Sequence, residues 1–367
     1  METRLQRRTA TGAPRRTVRT AVNRGWQHLY NYGLLFALAL TALCFSLLRP
    51  DAFPTTRNLG SILTGSAPLT LIALAVMLPL IVNQFDLTPG YMATLAGLLV
   101  VGLQSRDHMA VWVAILVTVL ICALVGLLSG LLVAVLKFNS LIVTLAVGSA
   151  LFGAAELYSN GATIYQDIGT GFTKLGQTRL FGVIPLPFVY AAVVAVIIWY
   201  ILEYRPLGRF LYAIGGSDEG ARLIGIRVDR LTIGVFVGSA FLSALGGVVQ
   251  ASRVGSANPT GVQSLLLPAF TAAFLGTTSI RPGAYNVWGT VLAVYLVGTA
   301  TTGMFMLGAP SYWADIFNGA ILIFAIGLAK ISARRVQRLS DQSSVETAPS
   351  NSVPQAADRE DAAHASE

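Results

Sequence analysis

A chain of 367 residues with 54% hydrophobic residues, 11% charged residues and a mean hydropathy of +0.66 is not an ordinary water-soluble domain, where roughly 25% of residues are charged. Its net charge of +8 does not point to nucleic acid, because the basic residues flank long apolar runs as the positive-inside rule expects. Those runs are continuous rather than alternating, which excludes a transmembrane β-barrel and requires helices that satisfy their own backbone.

Residues 1–30 form a basic arm holding Arg4, Arg7, Arg8, Arg15, Arg16, Arg19 and Arg24. Arg15-Arg16 invites a twin-arginine signal as the competing reading. The apolar run that follows, 31–48, is too long for a signal h-region and ends in Arg-Pro-Asp-Ala-Phe-Pro with no small-residue cleavage site. It is expected to be a retained first helix. Further spans are predicted at 66–83, 88–104, 110–135, 141–158, 185–202, 231–251, 264–279, 286–307 and 312–331, each near the roughly 20 residues a bilayer core demands. The expected fold is an all-α integral membrane protein of about ten transmembrane helices, with a transmembrane region over 31–333. Residues 334–367 lack an apolar run and are expected to be a disordered tail.

Orientation follows from counting charge. With the N-terminus inside, the outer segments hold only Arg49, Arg57, Arg106, Lys174, Arg179 and Arg253 of the 25 basic residues. The remainder fall in inner segments, so both termini are expected to be cytoplasmic. Small residues crowd the helices, for example Gly126, Ser129 and Gly130, or Gly238, Ser239, Ala240 and Ser243; close helix packing accounts for most of them.

Catalytic chemistry is not evident. The only lysines, Lys137, Lys174 and Lys330, follow no G-x-x-x-x-G-K-S/T loop, so the chain is not expected to bind ATP by that route. Neither G-x-S-x-G nor H-E-x-x-H occurs. His28, His108 and His364 lie outside the spans, and Cys44 and Cys122 lie within apolar runs, so neither a metal site nor a disulfide is expected. The acids Asp86, Glu156 and Asp315 sit near helix ends, where interfacial solvation explains them as well as function does.

The polar loop 203–230 carries more information. It reads as a turn at Gly215-Gly216, an N-cap at Ser217 and a short helix over Asp218, Glu219, Gly220, Ala221, Arg222, Leu223 and Ile224, stopped by Gly225. The acids suit its N-terminus and Arg222 its last turn. Too short to span, it is either a docking knob for another protein or a helix lying on lipid headgroups.

Its stretch Tyr212-Ala-Ile-Gly-Gly-Ser-Asp-Glu-Gly-Ala-Arg-Leu-Ile-Gly-Ile226 resembles the YAxGGNxxAAxxxGI loop of ribose-type ABC transporter permeases. Phe85-Asp-Leu-Thr-Pro-Gly90 is similar to the IDLSVG signature of that family, and Leu275-Gly-Thr-Thr-Ser-Ile-Arg-Pro-Gly-Ala-Tyr-Asn-Val-Trp-Gly-Thr290 to its GGTSLxGGxGxVxGT stretch. Ala251–Pro259 also fits, and the resemblance covers about residues 30–333. It implies a bacterial inner-membrane permease subunit, working as a homo- or heterodimer with a second permease copy. An extracytoplasmic binding protein would deliver a monosaccharide or polyol, and an ABC ATPase that binds ATP and Mg would drive alternating access. No cofactor is implied in this chain. Ser217–Gly225 would be the coupling helix on the ATPase. The departures are Ser217 for Asn, Gly220 for Ala, Asn83-Gln84 for Gly-Gly, and Leu266 and Pro268 where the family commonly carries acids. Asn83, Gln84, Asp86, Thr144, Thr277 and Thr278 are the candidate substrate-pathway residues, with polar interface caps as the plainer reading of the first three. The rival readings are a branched-chain amino-acid ABC permease, which would lack the full match at 212–226, an ion-coupled carrier or channel, and last a membrane enzyme.

Overall fold

The computed structural model describes the backbone of residues 16–328 and the side chains of residues 32–328. The start of the basic arm and the 334–367 tail lie outside the described residues.

Helix α1 runs Arg16–Leu48, beginning well before the expected boundary at residue 31. Helix α2, Thr56–Ile81, also starts earlier than the apolar run suggested. Thr55 caps it, accepting from the Asn58 amide at 3.2 Å, and the buried Asn58 side chain donates to the Phe53 carbonyl at 2.8 Å. These bonds satisfy polar groups that a hydropathy boundary treats as non-helical. Then follow α3 (Pro89–Ser105), with proline at its first turn, α4 (Val111–Ala134) and α5 (Ser140–Ser159). Asn139 caps α5, accepting from the Leu141 amide at 2.9 Å.

The segment between α5 and the next long helix is more structured than its sequence suggested. It holds a short helix α6 (Thr170–Gln177) and an antiparallel pair, β1 (Arg179–Leu180) and β2 (Ile184–Pro185), with Arg179 opposite Pro185. Next come α7 (Leu186–Tyr204), α8 (Pro206–Gly216), α9 (Asp218–Leu223) and α10 (Val228–Val254). A 3-10 turn, Gln263–Leu265, leads into α11 (Leu266–Gly276), followed by α12 (Val287–Met306) and α13 (Tyr312–Leu328). Among the described residues, α2, α4, α5, α7, α10 and α12 are long and apolar enough to cross a bilayer. Shorter apolar stretches occur in α1, at the 3-10 turn with α11, and in α13. The chain is therefore a helical, multi-pass membrane protein.

Burial is arranged for lipid. On α4, Leu116, Leu120, Leu124 and Leu128 repeat every fourth residue and are exposed, forming one apolar outer stripe. Cys122, Gly126, Ser129, Gly130 and Val133 occupy the buried side. Large apolar side chains outside and small ones inside are what lipid permits, since apolar surface gains nothing by leaving it. Helix α10 is the central element, packing on α2, α3 and α4. Its contact with α4 is backbone-close: a Cβ on Gly126 would lie 2.5 Å from the Ala240 Cβ. Ile72, Leu74, Met77, Leu98 and Val294 fill the interior.

Candidate functional site

The three-piece loop between α7 and α10 is built by identifiable local bonds. The Ser217 Oγ accepts from the Gly220 amide at 3.0 Å and starts α9. At the other end, Gly225 adopts a positive φ of 84°. The Gly225 amide bonds the Arg222 carbonyl and the Ile226 amide bonds that of Ala221, the pairing of a Schellman stop. Ala221 is buried beneath the helix, while Leu223 and Ile224 are 88% and 74% exposed at its tip. Asp218 pairs with Arg222 across one turn. The two glycines before Ser217, expected to form a turn, are helical and end α8. Gly215 is there for proximity: a Cβ would sit 1.9 Å from the Ile81 carbonyl, at the end of α2. Backbone contact of that kind admits no side chain.

Arg222 holds α9 to the bundle. Its guanidinium grips Asp229 of α10 with two bonds, Nη2 to Oδ1 at 2.6 Å and Nη1 to Oδ2 at 3.3 Å. Lys137, after α4, donates to the same carboxylate. The Asp229 hydrogen bond raises the Arg222 pKa above its ordinary value, so this cation stays charged. Sequence reasoning found Arg222 but missed Asp229 and Lys137, whose pairing spans 92 residues and leaves no local pattern.

Asn83 and Gln84 belong to this same face. They share a cavity of about 270 Å³ with Lys137, Ser217, Arg222 and Asp229. Asn83 has a positive φ of 59° and closes α2: its amide bonds the Leu80 carbonyl at 3.1 Å, and the Gln84 amide bonds that of Pro79 at 3.0 Å. Asparagine tolerates that left-handed position better than most residues.

Asp86 and Thr144 lie elsewhere, in the packed interior. Asp86 is 1% exposed in the irregular segment between α2 and α3. Its Oδ1 accepts from the Thr88 amide at 2.9 Å and hydroxyl at 2.6 Å, and its Oδ2 accepts from the Ser239 hydroxyl at 2.7 Å. Thr144, fully buried, donates to the Ser140 carbonyl at 2.8 Å, and the Phe85 amide donates to the Ser140 hydroxyl at 3.1 Å. These residues fix the course of the 82–88 segment.

Thr277 and Thr278 cap the end of α11, bonding the Phe274 and Leu275 carbonyls at 2.7 Å each. The turn to α12 is stapled by Asn286, which the sequence did not single out. Its Nδ2 donates to the Gly276 and Ser279 carbonyls at 3.1 Å, and its Oδ1 accepts from the Gly289 amide at 2.7 Å. Helix α8 reaches this turn as well, through a 2.7 Å bond from the Tyr212 hydroxyl to the Tyr285 carbonyl. Burial pushes the Tyr285 phenol up to about 12, leaving it neutral. Of the six candidate pathway residues, Asn83 and Gln84 line one cavity, while Asp86 and Thr144 are buried and Thr277 and Thr278 cap α11. Four of them, Asn83, Gln84, Thr277 and Thr278, flank the two loops that α8 touches. No cluster of His, Cys, Asp and Glu able to hold a metal occurs among the described residues.

Residues 58–326 match the family described as the branched-chain amino acid transport system / permease component. The ribose import permease of Haemophilus influenzae is 31% identical, over 79% of this chain and 90% of its own length. That of Bacillus subtilis is 33% identical, over 80% and 91%. The D-allose transport system permease of Escherichia coli is 27% identical, over 83% and 92%.

Proposed function

Because the chain belongs to the branched-chain amino acid transport system / permease component family, we propose that it is the membrane subunit of an ATP-driven importer whose cargo is a monosaccharide or related polyol. The family description names amino-acid transport, but the relatives that match along most of their length are permeases for ribose and allose. That favours a sugar over a branched-chain amino acid.

Ten spans with both termini in the cytoplasm agree with the distribution of basic residues. In that orientation α8, α9 and the end of α2 at Asn83 and Gln84 face the cytoplasm of a bacterial inner membrane. The observation that carries the mechanism is α9: a capped helix, tied by Arg222 to Asp229, that presents Leu223 and Ile224 to solvent. An exposed apolar tip on an ionically braced base suits a groove on a partner, here the ATPase subunit. The chain has no phosphate-binding loop, so ATP and Mg would be held by that partner.

The physical link between the ATPase and the pathway would run through α8. Its close approach to Ile81 and its bond to Tyr285 connect α9 to the end of α2 and to the α11–α12 turn. Movement of α9 on ATP binding would then bias both loops between two arrangements, as any driven change requires differential binding to two states. An extracytoplasmic binding protein would deliver the solute, and a second permease copy or a paralogue would complete the pathway.

The test is uptake of radiolabelled ribose, allose, arabinose and fructose into proteoliposomes holding this chain, its ATPase and its binding protein. ATP-dependent uptake of at least one sugar is expected. Uptake driven by an ion gradient with no ATPase present would sink the reading.

A further inference from the structure

We propose that a second region, at the opposite end of α11 from Thr277, is a solute-binding subsite within one protomer, in which Asn318, Asp315 and Ser264 recognise hydroxyl groups of a neutral polyol. The ligand class rests on the function proposed above; the site itself rests on geometry. Two cavities, of about 480 and 380 Å³, both include Ser264, Pro268, Asp315 and Asn318 in their walls. Each falls within the roughly 300–1,000 Å³ of small-molecule sites.

The chain makes room here by breaking its helices. Helix α11 has 11 residues and at 1.5 Å each rises about 16 Å, roughly half of a hydrocarbon core of about 30 Å. It is entered through the 3-10 turn Gln263–Leu265, so non-helical backbone lies between α10 and the start of α11. Within a membrane such backbone is tolerated where it is buried in protein or lines a water-filled cavity. Gln263 and Ser264 line the larger cavity, which fits the second case.

The chemistry comes from α13. Asn318 is 6% exposed, and its Oδ1 meets no hydrogen-bond partner among the described residues. A buried amide oxygen left unpaired is costly, and a ligand hydroxyl would supply the missing donor. Its backbone is held, because its carbonyl accepts from the Thr271 hydroxyl of α11 at 3.4 Å. Asp315 stands three residues earlier on the same helical face, and it pairs with no cation among the described residues. A carboxylate and an amide one turn apart can accept from neighbouring hydroxyls, and the amide can also donate. The smaller cavity adds hydroxyls from Thr301 and Thr302, and Leu69 and Phe305 give it an apolar wall for the C–H face of a sugar. In the orientation proposed above, Thr277 lies toward the cytoplasm, so the subsite at the other end of this half-length helix lies near the middle of the bilayer.

The deciding measurement is the ratio of uptake rates across ribose, allose, arabinose and fructose, in proteoliposomes of the complete transporter. Asn318→Leu keeps a similar volume without polar atoms; Asp315→Asn and Ser264→Ala probe the other two groups. At least one variant is expected to lower uptake of the best substrate by about tenfold and to change the ratios, since lost hydroxyl recognition falls unequally on sugars that differ in hydroxyl geometry. Co-purification with the ATPase reports folding, and if Asn318→Leu does not assemble, the other two variants decide by the same ratio. Unchanged ratios in every assembled variant overturn the subsite, whether or not absolute rates fall; Asn318 would then be bonding water alone. Uptake of none of the four sugars by the unaltered transporter overturns the proposed function and the ligand class with it.

Discussion

Asp86 and Ser239, 153 residues apart in sequence, are joined by a 2.7 Å hydrogen bond in the packed interior. The bond ties the irregular link between α2 and α3 to the central helix α10. With Thr88 supplying two more donors, one carboxylate organises a segment that has no regular backbone pairing of its own.

Asp86→Ala should therefore destabilise the folded protein by about 1–3 kcal/mol, because its hydrogen bonds are lost and their donors remain buried. Asp86→Asn keeps an acceptor for Thr88 and should recover part of the loss. Thermal denaturation of the purified protein in detergent checks the order, wild type above Asn above Ala. A melting temperature for the alanine variant equal to wild type would contradict it.

The tip of α9 should behave in the opposite way. Leu223 and Ile224 are solvent-exposed, so Leu223→Asp and Ile224→Asp should leave the melting temperature of the isolated chain unchanged. Co-purification with the ATPase should be lost, since a charge would be buried in an apolar groove. Retained co-purification for both would show that α9 is not the docking element.

The brace of α9 is a second, separable prediction. Arg222→Ala should permit assembly with the ATPase but lower ATP-driven uptake, because α9 would no longer be held to Asp229 of α10. Arg222→Ala combined with Asp229→Ala should lower uptake by less than the sum of the two single changes, because both remove the same bridge. Fully additive losses would remove the bridge from the account.

Two adjacent glycines should respond differently to alanine. Gly215→Ala forces a Cβ against the Ile81 carbonyl and should cost about 1–3 kcal/mol, with α8 displaced from the end of α2. Gly216→Ala meets nothing within 4 Å among the described residues, and by helix propensity it should be neutral or stabilising by up to about 1 kcal/mol. Parallel thermal melts of the two variants test this contrast.

Much of this protein is legible in one dimension. Uncharged runs of the right length become helices because a backbone in lipid must bond to itself, and that requirement is local. The cap at Ser217 and the stop at Gly225 are also local, made of bonds within a few residues, so α9 emerged at its expected position. Helix starts were less legible where a polar residue such as Asn58 finds its partner by folding.

The grouping of the polar residues was decided by tertiary structure. The sequence marks Asn83 only as a polar candidate; the fold shows that its backbone closes α2 and that it lines a cavity with Ser217 and Arg222. Gly215-Gly216 was read as a turn, and only the contact with Ile81 shows why glycine stands within a helix. Sequence alone allows Asp86 to be an interfacial acid; the fold buries it against Ser239. Hydropathy and capping depend on neighbours along the chain, so sequence determined the membrane helices and the short helix α9. Which acid meets which hydroxyl depends on how α2, α3, α10 and α13 pack across gaps of a hundred residues or more, and only the fold brings those groups within bonding distance.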